Sequence, residues 1–600
     1  MIFLYLNPKK PISFPISSMG IGNTFLWHSG HCDSSSVVLT PQWLQLCESE
    51  VPAVNATLRH AMKHRENLII IGRNCQPTVA ALQGMADFAD NSDVDPMIMF
   101  AAPRDDSGPV TGLPLPRPSS AIDDSLRRLT RLLPRHTYVP RLFPSCVLIK
   151  PAFLKEIGLL DEVYGTWSTA MDDLSLRANA FGFRAIMLNH IYIHSESTDT
   201  VAADENLLME RYPEAESTLQ QYLASARRTA ETLVCRLVSP ERRIIAFDFS
   251  YFSTGHDGTN EAGIKLLRAA ASVWIDYDIA VIASPDVWKA HKLEDIPNLS
   301  RLEPGDTSAQ AFAIIRMGQP WRGEELPPIF RCAPVVTFFM LDTIGYDCLY
   351  NAAQVPGLDD VWSFVASFAD GVFTQSHFTL KRLEERLHFD GRCRRVVTHH
   401  SLDVDDYGHP SPEEGTYILV IGNHFKHKFV TPTVNKLADL FPDRSFVAVG
   451  YAAECSRPNV ICVTSGQMDD ATFFALYDKA LCVVFPSTYE GFGFPILHAL
   501  ARGKVVYARC SALYDELKQS VRYGENLRQF TDSDDLVRQM ARHDAYNFVY
   551  NNIYSCIDID GWKRSAIDII STIKYCAHNI EYEKIVERLR WCALFTNNIA

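Results

Sequence analysis

"PSTYEGFGFPILHALARGKVVYA", Pro486 to Ala508, puts a carboxylate, two glycines and a proline at the mouth of a short helix and then returns at once to a strand. "LCVVFPS" (Leu481 to Ser487) is an apolar run closed by turn residues, the pattern of a buried strand. "TYEGFGF" reads as a loop. Pro495 suits the first turn of a helix, and "ILHALAR" continues it to Gly503, a good C-terminal stop. "KVVYA" is the next strand. In parallel α/β sheets, the loop at the carboxyl end of a strand is where ligands bind. Gly491 and Gly493 let the backbone approach a ligand closely, and the helix N-terminus favours an anion such as phosphate. Glu490 repels phosphate, so it would serve an uncharged, hydroxyl-rich part of the same ligand. Phosphates at one end and hydroxyls at the other describe a nucleotide sugar. The plain alternative is a surface turn with a chance Gly-x-Gly.

The same alternation extends on both sides. A boundary falls near "LVSPERR" (Leu237 to Arg243), after which "IIAFDFS", "DIAVIAS", "PVVTFFML", "DGVFTQS" and "RRVVTHH" read as successive buried strands between helical stretches. The pattern restarts at "TYILVIG" beyond the Pro/Glu-rich linker "DDYGHPSPEEG" (Asp405 to Gly415). It runs on through "SFVAVG", "NVICVTS", "LCVVFPS" and "KVVYA". This predicts an α/β protein whose later part is two consecutive doubly wound units, with a ligand cleft between them. The tail after Asn551 reads as helices anchored by Trp562. The expected domains are 1–236, 237–410 and 411–600, within the soft limit of about four that length sets.

Composition excludes several classes. With 600 residues, 47% hydrophobic and 21% charged, the chain is of ordinary globular type. A net charge of −14 argues against a nucleic-acid partner. The 15 cysteines are scattered without a Cys-x-x-Cys pair, which predicts reduced thiols and a cytoplasmic setting rather than a disulfide framework or a zinc site. No stretch approaches the ~18 to 20 apolar residues of a membrane span. "MIFLYLNPKKPISFPISS" starts apolar but has no basic region before it, so it does not read as a signal peptide. "SLRRLTRLLPR" (Ser125 to Arg135) reads first as a solvated basic face. Its second reading is peripheral contact with the inner face of a membrane.

The order of motifs after Arg242 carries a resemblance. "DFSYFSTGHDGTNEAGIKLL", "TFFMLDTIGYD", "ADGVFTQSHFTLKRLEERL", "YILVIGNHFKHKF" and "YEGFGFPILHALARGKVV" follow one another as in the retaining glycosyltransferases of family 4, which have the two-Rossmann GT-B fold. The resemblance implies a hexosyltransferase that uses a nucleotide-sugar donor, a glycan or lipid-linked acceptor and no metal, in surface polysaccharide or O-antigen assembly. Lys428 would hold the donor diphosphate, with Gly422, Asn423 and His427 in the same basic loop. Gly258 would turn backbone amides toward the diphosphate. Glu490 would bind donor sugar hydroxyls, and Gly491, Phe492 and Gly493 would cap the donor. His498 stands where the family has a second acid at the nucleotide ribose, and Leu341 replaces a usual histidine before Asp342. Asn423 and His427 occupy positions where an arginine is common.

The first part resembles the inverting family 2 glycosyltransferases, which have a GT-A fold. "AVNATLRHAMKHRENLIIIGRNCQPTVAALQGMADFA" and "SCVLIKPAFLKEIGLLDEVYGTW" carry it, followed by "MDDLSLRANAFGFRAIMLNHIYIHSEST". This implies a GT-A-like domain with a single Rossmann-like sheet, of which no first strand is evident in residues 1 to 50. Asn74 falls where the family's acid binds metal, and an amide is a poor ligand for a hard cation. Mn or Mg is expected only if this domain is active. Asp173 aligns with the acidic pair and Met171 stands where an acid is usual, which leaves Asp172 as the candidate base. His194 matches a histidine near the metal. The reading is a degenerate, partial GT-A-like module. The alternatives are a bifunctional enzyme with both domains active, or a non-catalytic glycan- or nucleotide-binding protein.

Overall fold

A computed structural model describes residues 1–6, 22–27, 41–73, 75–91, 93–106, 108–113, 119–142, 144–195, 202–238, 242–255, 257–306, 311–348, 355–398, 415–451, 457–464, 468, 470–521, 523–542 and 561–597. The chain forms two compact units. One holds Met1–Glu241 and Glu581–Glu587, the other Arg242–Ile580 and Arg588–Ala600.

The strands of the first unit are β1 (Ile2–Leu6), β2 (Asn23–Trp27), β3 (Leu68–Ile71), β4 (Cys75–Gln76), β5 (Ile98–Arg104), β6 (His136–Tyr138), β7 (Cys146–Ile149), β8 (Arg184–Tyr192) and β9 (His194–Ser195). Seven of them form one mixed sheet in the order β2-β1-β3-β7-β5-β8-β6, and β4 pairs with β9 apart from it. β1 runs parallel to β2 and β3, and β7 is antiparallel to both of its neighbours. Sequence reading finds no first strand in residues 1 to 50; the structure has two. β1 escapes a periodicity test because "IFLYL" is apolar at every position. Ile2, Leu4 and Leu6 pack into one core cluster, and Phe3 and Tyr5 into another on the opposite face. A sheet covered on both faces selects an unbroken apolar run. Truncating Leu4, fully buried, to alanine is expected to cost about 2–5 kcal/mol.

The second unit contains two sheets in which every recorded pair is parallel. β10 (Arg243–Asp248), β11 (Tyr277–Ile282), β12 (Leu299–Leu302), β13 (Ala311–Met317), β14 (Val335–Phe339), β15 (Gly371–Thr374) and β16 (Arg394–Val397) lie in the order β12-β11-β10-β13-β14-β15-β16. β17 (Tyr417–Ile421), β18 (Phe446–Val449), β19 (Val460–Val463), β20 (Ala480–Phe485), β21 (Val506–Arg509) and β22 (Leu527–Phe530) lie in the order β19-β18-β17-β20-β21-β22. In each sheet the chain winds one way and then the other from a central strand, the doubly wound α/β pattern with its ligand crevice at the carboxyl ends. Helix Gly258–Val273 is capped by Asp257, whose carboxylate accepts from the amides of Thr259 and Asn260. Helix Gly561–His578 returns to the first of these sheets: Trp274 Nε1 donates to the Ala566 carbonyl at 2.9 Å, and Cys576 Sγ to the Asp370 carbonyl at 3.1 Å.

Cys462 is disulfide-bonded, which corrects the reading of wholly reduced thiols. The other described cysteines are free, so its partner lies outside the described residues. The linker 405–414 likewise lies outside the described residues. In helix Ser119–Leu129 and the turn after it, Arg127, Arg128 and Arg131 are exposed while Leu129 and Leu133 are buried, which is the arrangement of an amphipathic surface segment. No described helix is long and apolar enough to cross a membrane.

Candidate functional site

The site of the second unit is built on two strand ends of the β17–β22 sheet. After β17, the chain turns through Gly422 and Asn423 into the short turn Lys426–Lys428. A methyl group on Gly422 would lie 2.6 Å from Val430 Cγ2, so only glycine lets the strand pass there. Asn423 Oδ1 accepts from the Phe425 amide at 3.0 Å and shapes the turn. His427 is buried, and its carbonyl accepts from the Thr488 amide at 2.8 Å and the Thr488 hydroxyl at 3.0 Å. The basic loop is therefore fastened to the loop after β20. Burial, and then the neighbouring Lys428 charge, lowers the His427 ring to about 4. It is neutral at physiological pH, and Lys428 carries the positive charge beside it.

After β20, Glu490 comes within 2.5 Å of Lys428 Nζ through Oε1, with side chains 11% and 17% exposed. Only the pair's edge meets solvent, where an ion pair remains exchangeable. Gly493 has φ +98° before helix Phe494–Ala501, a conformation that suits glycine, and Pro495 sits in the first turn. Phe492 and Phe494 are buried with rings 5.4 Å apart.

This loop also touches the β10–β16 sheet. Tyr489 Oη accepts from the Thr343 amide at 2.6 Å. The Gly491 carbonyl accepts from the hydroxyls of Ser376 and Thr379, both at 3.3 Å. A methyl group on Gly491 would lie 2.2 Å from the Leu341 carbonyl oxygen. Farther along, His498 Nε2 lies 3.1 Å from Glu261 Oε1, and a methyl on Gly258 would sit 3.8 Å from Phe494. Thus Lys428, Glu490, His427 and the Gly491–Gly493 loop converge, and Gly258 and Glu261 meet helix Phe494–Ala501, which carries His498.

Sequence reasoning did not assign Thr343, Tyr489, Glu261 or Gln319 to the site. Asp342, noted there only as the remaining half of a pair, follows β14, and its Oδ1 accepts from Gln319 Nε2 at 2.7 Å and from the Ile344 amide at 3.0 Å. It keeps a narrow window to solvent although protein surrounds it, and desolvation pushes its carboxyl up to about 6 against the pull of Lys428. The signal that could have found it is its place at the carboxyl end of a central strand.

In the first unit the expected acids are differently placed. Asp172 is buried and its Oδ2 accepts from Arg141 Nε at 3.1 Å; Arg141 also reaches Glu205 at 3.0 Å. Asp173 is fully buried and accepts from Tyr164 Oη at 3.3 Å, Tyr212 Oη at 3.1 Å and Arg177 Nε at 2.8 Å. Burial first, and the Asp173 charge second, pushes the Tyr212 phenol up to about 12. Met171 is part of the core. His194 Nδ1 lies 2.9 Å from Asp106 Oδ2. Asn74 lies outside the described residues. Among those described, no group of three His, Cys, Asp or Glu is arranged to hold a metal.

No family model matches the chain, and no curated protein does. Solved structures with a similar course exist. HepE of Anabaena, in complex with UDP and glucose, is 14% identical over 58% of this chain and 98% of its own, with a TM-score of 0.39. A sucrose-phosphate synthase from Thermosynechococcus elongatus is 13% identical over 60% of this chain and 100% of its own, at 0.35. WaaG, a glycosyltransferase involved in lipopolysaccharide biosynthesis, is 14% identical over 56% and 99%, at 0.36.

Proposed function

We propose that the second unit is a retaining GT-B-type hexosyltransferase. It moves a sugar from a nucleotide-sugar donor to a glycan or lipid-linked acceptor in surface polysaccharide or O-antigen assembly, on the cytoplasmic side of the membrane. The observation that supports this best is the Lys428–Glu490 pair at 2.5 Å, set beside the Gly491–Gly493 loop at the carboxyl ends of β17 and β20. Lys428 exchanges Glu490 for the donor diphosphate and neutralises charge as it departs. Glu490, released, accepts hydrogen bonds from the sugar hydroxyls. The amides of the loop and of the start of helix Phe494–Ala501 cap the phosphates, with Gly258 opposite, while His498 faces the nucleotide. Attack comes from the face the diphosphate leaves, so the protein supplies position and charge rather than a covalent intermediate. In this reading the second unit needs no metal, and the first is a GT-A-like module without transfer chemistry, its Asp172 and Asp173 held by arginines.

The test mixes the purified chain with a panel of nucleotide sugars, with and without manganese, beside Glu490→Ala and Asn74→Ala variants. Metal-independent turnover lost in Glu490→Ala and kept in Asn74→Ala supports the reading. Metal-dependent turnover lost in Asn74→Ala moves the chemistry to the first unit, and binding of no donor refutes the proposal.

A further inference from the structure

Two carboxyl groups approach the Lys428 charge from different sheets. Glu490 contacts the lysine directly. Asp342 comes from the end of β14, and its two hydrogen bonds from described residues both fall on Oδ1, from uncharged donors. The Gln319 amide is itself oriented, because its Oε1 accepts from the Leu341 amide at 3.2 Å. The carboxyl plane is thereby fixed, and Oδ2 is left without a described protein donor. A methyl group on Gly491 would lie 3.0 Å from Asp342 Cβ, so this carboxyl adjoins the residue that follows Glu490.

Resting on the reading of the second unit as a sugar transferase, we infer that Asp342 is the carboxylate that receives the acceptor hydroxyl and takes its proton. The hydroxyl oxygen forms its bond to the anomeric carbon. The bond from that carbon to the diphosphate oxygen breaks, and its electron pair leaves with the diphosphate. The proton passes to Asp342 Oδ2 instead of to the leaving phosphate, and afterwards to water. Glu490 is the poorer choice because Lys428 or the donor sugar occupies it throughout. A carboxyl raised to about 6 is also a stronger base than an ordinary one and remains mostly ionised at neutral pH. The titratable groups facing Asp342 are Lys428, Glu490, Asp347, Cys348 and Tyr489.

Asp342→Asn keeps the shape and an acceptor oxygen for Gln319 but cannot hold the proton. The probe is whichever of a panel of UDP-, GDP- and ADP-linked hexoses binds the parent chain tightest. Its affinity is read by calorimetry, and its turnover as nucleotide released with water or p-nitrophenyl hexosides as acceptor. The expected result is an unchanged Kd, turnover lower by ~100-fold, and loss of an acid limb near pH 6 in kcat/KM. Turnover within about 3-fold of the parent, or donor binding lost in step with turnover, overturns the inference. Should the variant not fold, Gln319→Leu removes one donor from Oδ1, and the acid limb should move to higher pH with donor affinity kept; an unmoved limb overturns the inference. A parent chain that binds or turns over no nucleotide sugar refutes the transferase reading itself. Turnover that survives Asp342→Asn refutes the role of Asp342 alone.

Discussion

Asp173 in the first unit and Glu490 in the second both stand in motifs that suggest chemistry, yet the protein surrounds them in opposite ways. Asp173 is closed off from solvent and accepts from two tyrosines and an arginine. Nothing that enters from outside could replace those partners without opening the core. Among the described residues Glu490 has a single ion-pair partner, a lysine, at a glycine-rich loop with an edge to solvent. A carboxylate held by many fixed donors stabilises one conformation, whereas one held by a single mobile cation can change partners. The surroundings of an acid separate these roles, and its position in a motif does not.

The contrast can be broken most directly at Glu490. Glu490→Ala and Lys428→Ala should each lower donor turnover by about 100- to 1000-fold while leaving the melting temperature in place. Equal losses of stability and activity would place Glu490 in the same class as Asp173. For Asp173→Ala the expectation is reversed: about 3 kcal/mol of stability lost in urea unfolding, with the donor affinity of the second unit kept. Gly491→Ala should weaken donor binding by roughly 10-fold, since the added methyl must displace the Leu341 carbonyl; calorimetry reads it.

A smaller effect is expected from pH. The His427 ring binds its proton at about 4 in the folded chain and at the usual 6.5 when unfolded. Between those values the unfolded state holds more protons, so stability should fall as pH drops from about 6.5 toward 4 and level off below. His427→Gln should flatten that limb in thermal melts. The least effect is expected from Asn74→Ala, with turnover within about 2-fold of the parent whether or not manganese is present, because an amide there offers a hard cation little. A larger loss would return the first unit to the list of working sites.

Much of this arrangement was legible before any coordinates. The run from "LCVVFPS" to "KVVYA" gives β20, helix Phe494–Ala501 and β21, because a buried parallel strand is an apolar run and Pro495 and Gly503 mark the helix ends. β13 was not legible. "AFAIIRM" carries Arg316, which looks like a surface residue, yet it is buried between Asp248 at 3.4 Å and Glu325 at 2.9 Å. β1 was hidden although it is an apolar run like β20, because a short apolar run at the start of a sequence fits a leader as well as a strand. The site's first-sheet members were missed because Thr343 and Tyr489 meet across 146 positions of chain, a pairing that no local pattern records. Charge pairing was legible only in part: Arg177 stands four residues after Asp173 in "AMDDLSLR", a spacing that pairs charges on one helix face, but nothing there shows that Arg141 reaches Asp172.

The parallel strands of the second unit have a consequence for how it forms. Among the described residues every pair in its two sheets is parallel, so no hairpin there can serve as an early local step. β10 must await β13, some 70 residues later in synthesis, to gain its second neighbour. Each such pairing closes a long loop before it is rewarded, which makes acquisition of the native state slow and leaves apolar strand edges uncovered in the meantime. The antiparallel pairs of the first unit give no relief, since β3 and β7 meet across 75 to 81 positions of chain, Ile71 with Cys146 and Leu68 with Ile149. Both units should therefore be slow to form, and refolding yield should respond to chaperones and low temperature.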